Sequence, residues 1–351
     1  MPHKLRTTIA ALRVVTLGRP LIVSLTALAL AGAADTSSAQ VVESVGSRAL
    51  GMGGAFVAVA SDSSATWWNP AGLAAGSFVD IAVGGGSIER AEELPARRDS
   101  AFWVTASVPA LGFSYYRLQI TDIQRSDSID QPSGSREDTQ VGPPVRSFAE
   151  NALGVTLVHS LFSGVHVATT LKYVRGTVQQ GTGSHDQSPA EWLDEGERLD
   201  GGTAENKFDM DAGVLAVVGV LRIGAVVKNL LAPSFGDSAF TLPRQGRVGV
   251  AIDPARGGRP VWIADVDADV LAYATTTGRR QMVAGGVERW FGAQRVGVRA
   301  GARANMTGAH EHAVTGGVSA LIRSGLFVVA HVAGGGADAE GGWGLDARVT
   351  F

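Results

Sequence analysis

The chain contains no cysteine. That excludes disulfides, thiolate metal sites, cysteine nucleophiles and the lipid anchor of a lipoprotein. After residue 40 no apolar run comes near about 18 residues, so a helical membrane span is excluded there. Charged residues make up only 18% of the chain, and no basic stripe interleaved with aromatics appears, so nucleic acid is not an expected partner. The 46 glycines follow no three-residue period, which excludes a collagen-like fibre. Glycine at this level suits tight turns and crowded strand positions instead.

The first forty residues read as a targeting leader. Lys4, Arg6, Arg13 and Arg19 form a basic region, and residues 21–34 form an apolar run of about fourteen residues. Such a run fits a secretory signal and is short for a membrane anchor. Ser37, Ser38 and Ala39 supply small residues for cleavage before Gln40. Removing this leader takes the formal charge from −3 to about −6. The expected organisation is a signal peptide at 1–39, a distinct segment at 40–77 and a wall of strands at 78–351.

That wall is expected to be an all-β, transmembrane, antiparallel up-and-down barrel of about 14 strands. In the last strand, 342–351, Trp343, Leu345, Ala347, Val349 and Phe351 share one face, and Gly344, Asp346, Arg348 and Thr350 share the other. A strand patterned in this way separates an oily medium from a wet one. Ending on Phe351, it resembles the closing strand of bacterial outer-membrane barrels. Thirteen further strand-length segments precede it, beginning at 78–88, each near the roughly ten residues that cross a bilayer. Connections alternate in length: Pro109-Ala110, Phe162-Ser163 and Ser324 are short, whereas 122–147, 177–206 and 231–243 are long and polar. Short turns on one rim and long loops on the other is the outer-membrane pattern. The second long loop holds Ser188, Pro189 and Glu191, a capping box that predicts a short helix carrying Trp192, Leu193 and Leu199.

Two charge ladders are expected to face the lumen, because charge on the lipid side is costly. Asp265, Asp267 and Asp269 alternate with small apolar residues on one strand. Arg295, Arg299 and Arg303 do so two strands later, with Ala284, Gly286 and Glu288 between. They read either as an ion-pair network bracing the wall or as a polar track for a ligand. A calcium loop at Asp265 is excluded, since Val270 stands where the turn glycine belongs and Thr276 where the bidentate glutamate belongs. His310, Glu311 and His312 lack the spacing of a metal pair on a helix and read as a loop tip. No catalytic residue, metal or cofactor is expected, and the chain is not read as an enzyme.

Residues 46–76 do not read as another wall strand. The stretch from Arg48 to Leu73 runs R-A-L-G-M-G-G-A-F-V-A-V-A-x-D-x-S-A-T-x-W-N-P-A-G-L. Gly51, Gly53 and Gly54 permit close packing, and Pro70 forces a turn at Asn69. This pattern resembles the N-terminal signature of the FadL/OMPP1-like outer-membrane proteins, closest to the PorV/PorQ branch. The resemblance implies that the segment folds inside a fourteen-stranded barrel as a hatch. Asn69, Pro70 and Ala71 then form its turn, Asp62 its acidic position, and Arg48, Gly51, Gly53, Gly54 and Trp68 its packed part. It also implies residence in the outer membrane of a Gram-negative-type bacterium, among outer-membrane lipid. The function it implies is passage of small hydrophobic or amphipathic molecules. The alternative is an accessory role in protein secretion, with secretion-system proteins or cargo as partners. The charged long loops depart from the greasy landing site of the fatty-acid members.

Overall fold

A computed structural model describes residues 44–90, 94–123, 142–184, 186–237, 239–254, 262–275, 278–308, 311–335 and 341–351. The leader, most of the first long loop (124–141) and His310 lie outside these residues. Fourteen strands form the wall: β1 (Asp80–Arg90), β2 (Ala96–Val108), β3 (Leu111–Ile123), β4 (Pro144–Phe162), β5 (Val165–Thr182), β6 (Ala204–Val218) and β7 (Leu221–Lys228). The second seven are β8 (Gln245–Ile252), β9 (Trp262–Asp269), β10 (Met282–Phe291), β11 (Val296–Asn305), β12 (His312–Arg323), β13 (Leu326–Gly334) and β14 (Gly341–Thr350). Each pairs antiparallel with its sequence neighbour, and β1 pairs with β14, so the barrel closes without an edge. Closure satisfies every strand's backbone groups within the wall, which a hydrocarbon medium requires.

The period-two pattern sorts side chains between two media. Val104, Phe113, Leu153, Leu171, Val266, Val298 and Leu345 all point outward and are exposed. A large apolar exterior of this kind is stable only against lipid. Their sequence neighbours point inward and include Lys172, Asp265, Asp267, Arg299 and Asp346, all buried. Among the described residues no helix is long and apolar enough to cross a membrane.

Several strands run further than the apolar pattern predicts. The segments at 148–161 and 164–178 extend to Pro144–Phe162 and Val165–Thr182. The reason is α3 (Pro189–Glu197), which packs Trp192 and Leu193 against Ala96, Ile123 and Val145. Above the lipid band this helix supplies the apolar cover that the strand ends would otherwise lack. Its capping box forms as the sequence predicts, with the Ser188 and Glu191 backbone N–H groups donating to each other's side chains. Glu311, expected at a loop tip, is buried and salt-bridged to Arg280 at 2.9 Å and Arg90 at 3.6 Å.

Residues 44–76 lie within the wall. They form α1 (Ser47–Gly51), α2 (Ala65–Trp68) and a 3-10 turn over Pro70–Ala75. Nearly every residue from Ser44 to Leu73 is buried. The segment meets inward-facing glycines on several strands: Met52 lies on Gly286 and Gly301, Gly51 on Gly317, and Val57 on Gly224. A Cβ on Gly301 would fall 2.2 Å from the Met52 carbonyl carbon, so only glycine admits this approach.

Candidate functional site

Two clusters stand out inside the barrel: a charged one built on the N-terminal segment and an aromatic one on the inward faces of β2 to β5. Further buried charges, Asp99, Asp122, Glu150, Arg280 and Glu311, lie toward the long-loop ends of their strands. Arg48, on α1, anchors the first cluster. Its Nε and Nη2 donate to the two Glu288 oxygens at 2.9 Å each, and its Nη1 donates to Asp62 at 3.2 Å. Glu288 also accepts from Arg299 Nε and from Trp290 Nε1. Arg299 reaches Ser319 on β12 at 2.8 Å. Asp62 lies 3.7 Å from Arg348, which donates to Asp80 at 2.6 Å, and the Ser63 N–H donates to the other Asp80 oxygen at 2.9 Å. The N-terminal segment is thereby tied by charge to β10 and β14 and by the Ser63 amide to β1, with Arg299 of β11 joining through Glu288. The side chains of Glu288 and Arg299 are 0% exposed, so each depends wholly on its partners for solvation.

Wall carboxylates also receive the segment's backbone. Asp267 accepts from the N–H groups of Phe56 and Val57 at 2.7 and 2.8 Å, and Asp346 accepts from Ser47 at 3.1 Å. Asn69 donates to the carbonyls of Val57 and Val214 and accepts from Ala71. It thus closes the turn before Pro70 and fixes it to β6. Trp68 donates to the Val45 carbonyl and stands edge-on to Phe56. Gly53 and Gly54 take positive φ of 73° and 84° in the turn after α1.

The second cluster is aromatic. Trp103, Tyr116, Leu118, Ile120, Phe148 and Val174 point inward from β2 to β5. Phe235 and Phe240, from the connection after β7, fold in beside them. Phe148 stacks on Phe240 at 5.0 Å between ring centroids and leans on Phe235 at 5.3 Å. The segment joins this cluster through Trp67, which stands edge-on to Tyr116 at 5.0 Å. Lys228 lies 3.3 Å over the Trp67 ring.

The two charge ladders do not meet across β10. Asp269 bonds Arg247 on β8 at 2.7 Å and Asp267 bonds the segment, while Arg299 turns to Glu288. The physical reason is steric, since the backbone of Met52 and Gly53 occupies the space over Gly286 and Gly301 where the ladders would meet. Asp265 and Arg303 are buried on the inward face. Arg295 is not on the ladder at all. It lies exposed in the turn before β11, because the strand begins one residue later. Among the described residues no group of three or more His, Asp or Glu side chains is placed to hold a metal.

Several members of the site carry little sequence signal. Asp80, Arg348 and Asp346 are single charges on inward strand faces, and only alternation marks them. Phe235 and Phe240 sit in a connection with no periodicity, so nothing in the sequence places them in the lumen.

A family model described as F plasmid transfer operon, TraF, protein matches residues 95–269. No curated protein matches the chain. Among solved structures, the CymD monoaromatic hydrocarbon channel superposes with a TM-score of 0.60 at 12% identity, covering 88% of this chain and 98% of its own. A FadL homologue of Pseudomonas aeruginosa gives 0.57 at 8% identity, covering 88% and 99%. The toluene transporter TodX of Pseudomonas putida gives 0.53 at 12% identity, covering 88% and 97%. At these identities the likeness is one of fold, shared over most of both chains.

Proposed function

We propose that the protein is an outer-membrane, FadL-like channel for small hydrophobic or amphipathic molecules, with residues 40–77 as its hatch. The observation that carries this reading is an aromatic cluster packed beside a segment that fills the bore. A ligand arriving from the long-loop rim would part the buried rings of Phe148, Phe235 and Phe240. Further passage is closed by the segment held through Arg48 and Asn69. Apolar surface favours the ligand, while ion pairs and hydrogen bonds can exchange for water when the segment shifts. The named hydrocarbon channels among the structural relatives agree with this substrate class. The secretion role has no observation in its favour.

The test is uptake of toluene and of a medium-chain fatty acid into vesicles carrying the purified protein. Saturable uptake of at least one, impaired by Phe148→Asp, is the expected result. Uptake that matches protein-free vesicles for every hydrophobic probe would remove the reading.

A further inference from the structure

The outward face of β3 to β6 carries a feature that transport through the lumen does not use. A groove of about 680 Å³ is cut into it, lined by apolar side chains including Phe113, Leu153, Leu171, Tyr173, Phe208 and Leu231. These residues point away from the lumen, so the groove opens toward lipid. The strand register orders the groove into rows. Phe113, Val155, Leu171 and Met210 lie opposite one another across four strands, and Tyr115, Leu153, Tyr173 and Phe208 form the next row. The row after that is Arg117, Asn151, Arg175 and Asn206.

That third row lies on the side of the long loops, directly beyond the two tyrosines. Aromatic residues mark the boundary between hydrocarbon and headgroups in such barrels, so Arg117 and Arg175 stand at headgroup level. Both are exposed. Among the described residues neither makes a salt bridge or side-chain hydrogen bond to the protein. They flank β4, so their backbones are roughly 10 Å apart, near enough for two guanidiniums to grip one phosphate between them. Asn151 lies in that gap and accepts from the Tyr115 hydroxyl at 2.9 Å, leaving its amide N–H groups for the same anion. By contrast, Arg98 on the outward face of β2 is already engaged by Glu89, Asp194 and Glu197.

We propose that this face binds a phosphorylated lipid of the outward leaflet, with an acyl chain in the groove and a phosphate between Arg117 and Arg175. Charge complementarity identifies the occupant. An apolar groove alone would accept any hydrocarbon, but two unpaired guanidiniums at its mouth select an anionic headgroup. The inference rests on the reading of the barrel as membrane-embedded and is independent of what passes through the lumen.

The experiment uses the full purified chain in detergent and native mass spectrometry with two probes, diphosphoryl lipid A and its dephosphorylated form. The wild type is expected to retain the phosphorylated lipid far more strongly. Arg117→Gln with Arg175→Gln should weaken that retention about thirty-fold and leave the dephosphorylated lipid unaffected. Leu171→Trp, which fills the groove, should weaken both. Because all three residues face outward, heat-modifiable gel mobility checks that the barrel still forms. Equal retention of the two lipids, or retention unchanged in the double variant, would overturn the proposal. So would displacement of the lipid by toluene in the wild type. The double variant should leave vesicle uptake intact, and Glu288→Gln should leave lipid retention intact, so the two readings fail separately.

Discussion

Replacing Glu288 by glutamine tests the hatch most directly. In the closed arrangement its carboxylate accepts from Arg48 through two nitrogens, from Arg299 and from Trp290. Glutamine keeps the shape but has one acceptor oxygen and turns an amide toward two cations. Arg48 retains Asp62 at 3.2 Å, whereas Arg299, fully buried, loses its carboxylate partner and keeps only Ser319 and the Trp290 face. Breaking a buried pair by removing one partner costs about 3–5 kcal/mol. Water reaches Arg299 once the segment moves aside, so most of that cost falls on the closed state alone. At 1.36 kcal/mol per decade, opening should rise by roughly two to three decades. Arg48→Met is the control: Glu288 keeps Arg299 and Asp62 keeps Arg348, so no wall charge is stranded, and opening should rise only about ten-fold. Hydrogen exchange of amides 44–76 and single-channel conductance in planar bilayers read the effect, with heat-modifiable mobility reporting the wall. If Arg48→Met opened the barrel as much as Glu288→Gln, a stranded Arg299 would not be what drives the opening. The same holds if neither variant altered exchange in a folded barrel.

Other outcomes follow from the same geometry. Asp267→Ala leaves the Phe56 and Val57 N–H groups without their acceptor, at about 1–3 kcal/mol each, and should speed exchange at those two amides before their neighbours. Gly301→Val puts a side chain into the Met52 backbone, so the segment must move; conductance should rise while far-ultraviolet circular dichroism stays that of a barrel. On α3, backbone and side-chain hydrogen bonds from Ser188 hold the Glu191 carboxyl below its usual range. A depressed carboxyl contributes stability above its unfolded pKa and loses it as pH falls through the folded value. Exchange along Pro189–Glu197 should therefore accelerate as the pH falls below the ordinary glutamate range, and Ser188→Ala should abolish that dependence.

The sequence alone determined the medium, the wall and the composition of its two faces. Residues such as Val266 and Asp267, or Leu345 and Asp346, must part company across a strand because successive side chains point opposite ways. Closure follows, since an open edge has no place in lipid. Local rules also sufficed for the capping box at Ser188 and for the turn at Asn69 and Pro70. Pairing across the lumen was beyond that reach. Asp267, Arg299 and Glu288 were legible as inward charges on neighbouring strands, but the groups that tie them to the N-terminal segment lie far along the chain, Phe56 for Asp267 and Arg48 for Glu288. The backbone of Met52 over Gly301 decides that the two ladders never meet. Likewise Phe235 and Phe240 have no period to betray them, and Arg117 and Arg175 become neighbours only through the register of β3, β4 and β5. Alternation assigns a residue to a face; only the closed wall and the segment packed within it decide which residues on that face touch.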